Sequence, residues 1–166
     1  MFDLNQLSIP FVGLKDGEYQ YKYAINESFF EELEYSEIKK GIFNIDLFLL
    51  KQSNMLTLNF EIEGKAIVEC DRCLDELEIS VQTKRRLFVS FGEATHEETD
   101  EVFVLSYNEQ ELNVSQFIYE YIVLAIPLIN SHPEGECNPE IVKKLEELKP
   151  KINNSDPRWD ILNKLK

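Results

Sequence analysis

Cys70-Asp71-Arg72-Cys73 is the densest concentration of chemistry in this sequence. Two thiolates at this spacing can grip one tetrahedral zinc ion from a tight turn. The same spacing serves a redox dithiol, but that chemistry wants the first cysteine at a helix N-terminus, where its pKa is lowered. The segment after Cys73 alternates as a strand does, so the motif is predicted to cap a β-hairpin, which disfavours a thioredoxin-like site. Cys137 offers a third ligand and His132 a fourth, through His132-Pro133-Glu134-Gly135-Glu136-Cys137. The plainer reading makes Cys137 a hydrophobic staple, one residue before an Asn138 cap and reaching Val142. At this point both readings stand.

Lys84-Arg85-Arg86 is a run of three basic residues in an otherwise acidic chain. It can touch phosphates or a partner, or it can offset nearby carboxylates as a solvated strip. Tyr19, Tyr21 and Tyr23 make an aromatic stripe, which reads as half-buried strand side chains rather than a base-stacking platform. His96 lies in an acidic stretch and reads as exposed. Acidic pairs such as Glu31-Glu32 and Glu97-Glu98 have no paired base, and no Walker loop, GxGxxG, HExxH or GxSxG occurs. No catalytic residue is assigned, and the chain is expected not to be an enzyme.

Several elements must position these groups. The tyrosine stripe with Ile25 predicts a strand, and Asn26 can cap a short helix from Glu27 to about Tyr35. Gly41 opens a strand with Phe43, Ile45, Leu47 and Leu49 on one face and Ile42, Phe48 and Leu50 on the other, which predicts cover on both sides. Residues 51–54 read as a turn. Leu56, Leu58, Phe60 and Ile62 give a clean alternation, followed by a strand from Lys65 to Cys70. Another runs from Leu77 towards Phe91. Residues 96–101 read as a charged loop and Val102 to Leu105 as a short strand.

The period then becomes helical through Val114, Phe117, Ile118, Tyr121, Ile122 and Ala125. Asn113 and Gln116 suggest a capping box, and Pro127 a stop. Asn138-Pro139 opens another helix through Leu148. Residues 149–155 form a polar linker, and Asp156-Pro157 starts a short docking helix with Trp159, Leu162 and Leu165 on one stripe. The predicted fold is α+β: a mostly antiparallel sheet, with closure into a barrel as one option, a short N-terminal helix and two or three C-terminal helices. Residues 1–148 are expected to be one domain, with 149–166 as linker and docking helix.

Seventeen Lys and Arg against 31 Asp and Glu give a net charge of −14. This charge repels bare nucleic acid at long range and favours a basic partner, such as a ribosomal protein. Three cysteines, an odd number, fit a reducing compartment. The N-terminus reads without a signal peptide and no apolar run is long enough to span a bilayer, so the expectation is a cytoplasmic protein with no membrane association.

Taken together, Val68-Glu69-Cys70-Asp71-Arg72-Cys73-Leu74, Leu124-Ala125-Ile126-Pro127, His132-Pro133, Cys137 and Asp156-Pro157-Arg158-Trp159 resemble the YceD family, the large ribosomal RNA subunit accumulation proteins of bacteria and plastids. Val12-Gly13-Leu14-Lys15-Asp16-Gly17 and Ile38-Lys39-Lys40-Gly41 also look like forms of this family. The resemblance implies a non-enzymatic factor needed for accumulation of 23S rRNA and assembly of the large subunit. It maps the family's cysteine positions onto Cys70, Cys73 and Cys137. A basic ribosomal protein or a large-subunit precursor is then the expected partner, with rRNA contact limited or indirect. Two alternatives are a thiol–disulfide oxidoreductase using Cys70 and Cys73, and a structural zinc protein with an unrelated partner.

Overall fold

The computed structural model describes residues 2–149 apart from 34, 37 and 39. A 3₁₀ turn at Leu4–Leu7 leads into strand β1, Ser8–Pro10, and β2 follows at Gly17–Ile25. Helix α1 covers Glu27–Glu32, with the Asn26 side chain accepting from the Ser28 N–H as its cap. It stops short of Tyr35 because Leu33 turns extended and buries its side chain. Then come β3 (Lys40–Gln52), β4 (Met55–Glu69), β5 (Glu76–Gly92), β6 (His96–Thr99), β7 (Val102–Ser106) and β8 (Glu111–Asn113). Helices α2, Ser115–Ala125, and α3, Pro139–Leu148, complete the described elements.

The main sheet has the order β2-β3-β4-β5-β7-β6, with β1 and β8 forming a separate two-stranded pair. It is an antiparallel meander except where β5 and β7 run parallel. Period-two alternation explains its faces: Phe43, Ile45, Leu47, Leu49, Leu56, Leu58, Phe60 and Ile62 are each at most 1% exposed and share one face. Phe29 and Phe30 of α1, Ile118 and Ile122 of α2, and Ile9 and Leu112 of the small pair cover that face.

The architecture is therefore α+β and mostly sheet, in two layers, and several expectations need correction. The sheet does not close into a barrel: β2 lies at one edge and β6 at the other. The β3 face bearing Ile42 and Phe48 is not covered, since these are 66% and 39% exposed. Residues 96–99 form an edge strand on β7 instead of a loop, with an irregular register between Glu97 and Thr99. All four are exposed, so no burial alternation marked them as a strand. The strand predicted in two pieces across 56–70 is the single β4, because Gly64 lets the ladder pass the Phe43 ring without interruption.

The α2 start also differs: Asn113 Oδ1 accepts from the N–H and hydroxyl of Ser115, while Gln116 donates to Glu120 rather than closing a capping box. Asn138 does cap α3, accepting from the Glu140 N–H, with Pro139 at its first turn. Trp159, Leu162 and Leu165, with the expected linker and docking helix, lie outside the described residues. Among the described residues no helix is long and apolar enough to cross a bilayer.

Candidate metal centre

The β4–β5 ladder runs from Met55↔Ser90 to Glu69↔Glu76 in one register. Its turn is the CxxC segment, as the alternation after Cys73 predicted. Cys70 donates its N–H to Asp75 O and accepts from Leu74 N–H at 2.8 Å, closing the turn on itself. Leu74 completes it at φ 63°, a left-handed conformation unusual for a side chain of its size. Both sulfurs are turned inwards by this geometry, and Cys70 and Cys73 are buried.

The loop from α2 to α3 brings the other two candidates. Asp71 N–H donates to Asn130 O at 2.7 Å, and Asn130 N–H returns the bond to Asp71 Oδ2 at 2.6 Å. This reciprocal latch seats His132 and Cys137 over the hairpin turn. Cys70, Cys73, His132 and Cys137 each offer one ligand atom, all within 4.8 Å of one another. Cys70 Sγ lies 3.9 Å from Cys137 Sγ, Cys73 Sγ 3.4 Å from His132 Nδ1, and Cys137 Sγ 4.0 Å from the same nitrogen. A tetrahedral zinc with sulfur ligands at 2.3 Å needs ligand atoms about 3.8 Å apart. The observed separations bracket that spacing.

The surroundings fit the same geometry. His132 Nε2 is 3.2 Å from Glu76 O, so the proton on that nitrogen faces a carbonyl and Nδ1 is left to face the sulfurs. Arg72 Nη1 donates to Cys137 Sγ at 3.7 Å and brings positive charge to the thiolate side. Burial pushes the Cys70 thiol up, but hydrogen bonds from the backbone of His132, Cys73 and Arg72 outweigh it and draw the group down to about 6. Hydrogen bonding to Cys70 raises the His132 imidazole, and burial together with the neighbouring cysteines raises Cys137. Leu77, Ile141 and Val142 pack around the three cysteines, so the staple contact expected of Cys137 coexists with its place in the cluster.

The basic run is divided by strand alternation. Lys84 and Arg86 point to the outer face, where Lys84 pairs with Glu61 at 2.5 Å and Arg86 bonds Asn59 at 2.8 Å. Arg85 stands opposite Phe60 on the core face, at the margin of the layer. The tyrosine stripe lies on the core side as expected of half-buried strand residues, with Tyr21 and Tyr23 stacked at 6.3 Å. Sequence reasoning missed Asp71, Asn130 and the Glu76 carbonyl. The only local signal was an aspartate within the CxxC, a residue type that readily accepts from nearby backbone.

The class of protein defined here is an open α+β sheet whose longest hairpin brings Cys70 and Cys73 together with His132 and Cys137 of the α2–α3 loop. A family model described as large ribosomal RNA subunit accumulation protein YceD matches residues 58–166, and the chain belongs to that family. No curated protein and no solved structure matches the chain.

Proposed function

We propose that this chain is a cytoplasmic, non-enzymatic ribosome-biogenesis factor. In this reading it supports accumulation of 23S rRNA and assembly of the large subunit by binding a basic ribosomal protein or a precursor particle. The observation that carries the reading is the family match across residues 58–166. The net charge of −14 supports protein as the first contact. So does the setting of the basic run, where Lys84 is paired with Glu61 and Arg86 is held by Asn59.

The Cys₃His cluster, in the same reading, is a structural zinc site that ties the β4–β5 hairpin to the α2–α3 loop. Four ligands from one chain leave no open coordination position for substrate, which suits a structural role better than catalysis. Thiol–disulfide exchange by Cys70 and Cys73 has less support. Both sulfurs are buried and the pair sits in a hairpin turn instead of at a helix N-terminus.

The test is sedimentation of the tagged full chain through a sucrose gradient, with identification of the protein and RNA that travel with it. Cosedimentation with large-subunit precursors, or recovery bound to a basic ribosomal protein, is the expected outcome. Recovery only at the top of the gradient, with no ribosomal protein bound, would remove the reading.

A further inference from the structure

Strand β5 is paired on both sides for less than half its length. β7 joins it only from Phe88 to Gly92, leaving the stretch upstream with β4 as its sole neighbour in the sheet. The Phe88 N–H points to the β7 side, donating to Glu101 O at 2.7 Å, and Glu76 O faces His132 on that side. Period-two geometry then aims the N–H and C=O of Glu78, Ser80, Gln82, Lys84 and Arg86 the same way. None of these groups meets a partner among the described residues.

The open edge runs into a groove of about 840 Å³ between β5, the β6–β7 turn and α2. Glu97, Asp100, Glu101 and Glu120 line it, and none of the four is in an ion pair among the described residues. Tyr121 also lines the groove at 6% exposure, and its buried hydroxyl has no hydrogen-bond partner among the described residues. Such an orphan is uncommon in a folded chain. Of the three cations at the rim, Lys84 is tied to Glu61 and Arg86 to Asn59, while Arg85 is in no hydrogen bond or ion pair among the described residues and faces the Tyr121 hydroxyl electrostatically.

We propose that the open edge of β5 takes up an extended basic segment of a partner protein as an added strand, its cationic side chains received by the carboxylates of the β6–β7 turn and α2. The alternating donors and acceptors suit a peptide backbone and not a phosphate chain. The carboxylates repel both RNA and a second copy of this acidic chain. This assignment rests on the basic-partner reading given above and adds the place and manner of contact.

The experiment follows amide hydrogen exchange in the full chain with a synthetic peptide of about ten residues alternating lysine and valine. Two controls replace lysine by glutamate or methylate alternate backbone nitrogens, which removes the ladder donors and keeps the charge. With the lysine peptide alone, the amides of Ser80, Gln82, Lys84 and Arg86 slow by about tenfold. Glu97→Lys with Glu101→Lys, both on exposed positions, weakens the peptide by about tenfold.

Protection along β2, equal binding of the methylated peptide, or no binding at all overturns the proposal. So does protection already present in the free chain that vanishes on removal of residues 150–166, or that grows with protein concentration. The first of these would make the chain's own tail the occupant, the second another copy. A chain that sediments with precursors but leaves these amides exchanging freely keeps the assembly role and loses the edge. One that binds the peptide but stays at the top of the gradient does the reverse.

Discussion

Cys70 and Cys137 stand 67 positions apart in the chain and 3.9 Å apart in space. A metal bound between them adds its binding energy to folding, since the unfolded chain holds no such site. Protein purified without a polyhistidine tag should carry about one equivalent of zinc. EDTA should then lower its melting temperature by about 10 °C or more. Elemental analysis and paired melts check this; zinc-free protein with an unmoved melt would return the cysteines to simple apolar packing. Cys137→Ser should release the metal, whereas His132→Ala should only weaken it, because water can replace that one ligand. The members of the cluster were legible because CxxC spacing and a distal His and Cys are written in residue types. Leu74 at φ 63° was not legible, since a leucine carries no sign of left-handed backbone. The orphan hydroxyl of Tyr121 was equally hidden, because helical period alone placed it in the core. Burial raises the Tyr121 and Tyr23 hydroxyls to about 12, with the neighbouring Glu120 and Tyr21 respectively adding to the shift. A phenol whose folded pKa lies above its ordinary value near 10 contributes stability that is lost as pH rises through that window. Ultraviolet titration should show Tyr23 and Tyr121 among the late-ionising tyrosines, and the melting temperature should fall between about pH 10 and 12.

Among the elements, the β3–β4–β5 meander tolerates a side chain least at Gly64. A Cβ at Gly64 would sit 2.2 Å from Ile42 O and 2.7 Å from Phe43 Cα, so backbone would have to move. Gly64→Ala should cost about 2 kcal/mol or more, read as a shift of the denaturant midpoint. Gly13→Ala, where a Cβ meets nothing within 4 Å, should stay within about 0.5 kcal/mol. Alternating apolar residues revealed β2 to β5 because one face of each is buried. β6 escaped because all of its residues are exposed, and β3 looked doubly covered because Ile42 and Phe48 are apolar yet face solvent. Closure was undecidable from pattern, since open sheets and barrels alternate alike. Helix α3 extends the apolar line Ile141, Leu145 and Leu148 beyond the cysteine cluster, with Leu148 78% exposed. Residues 156–166 continue the chain with Trp159, Leu162 and Leu165 on a segment of about ten residues, too short to hold a helix by itself. Deleting 156–166 should therefore reduce either thermal stability or partner binding, and Trp159 emission should shift to the blue in the complete complex. No change in stability or binding would make the tail dispensable.

At the scale of the molecule, the chain belongs to a family described as large ribosomal RNA subunit accumulation proteins, and its Cys/His cluster lies at the tip of the β4–β5 hairpin. The architecture also sets an order in time. The β2–β3–β4–β5 pairings all join sequence neighbours, so that meander can assemble once Gly92 is available, before β7 adds to β5. β1 must wait, because Ser8 pairs with Asn113 and the Asn113 side chain bonds Leu4 O and Ser8 Oγ. Its segment has no strand partner until more than a hundred residues have followed it. During synthesis at about 5 to 20 residues per second, that interval lasts several seconds or more. The segment from Leu4 to Pro10 is therefore among the last of the described elements to be secured, although it is made before the sheet it covers.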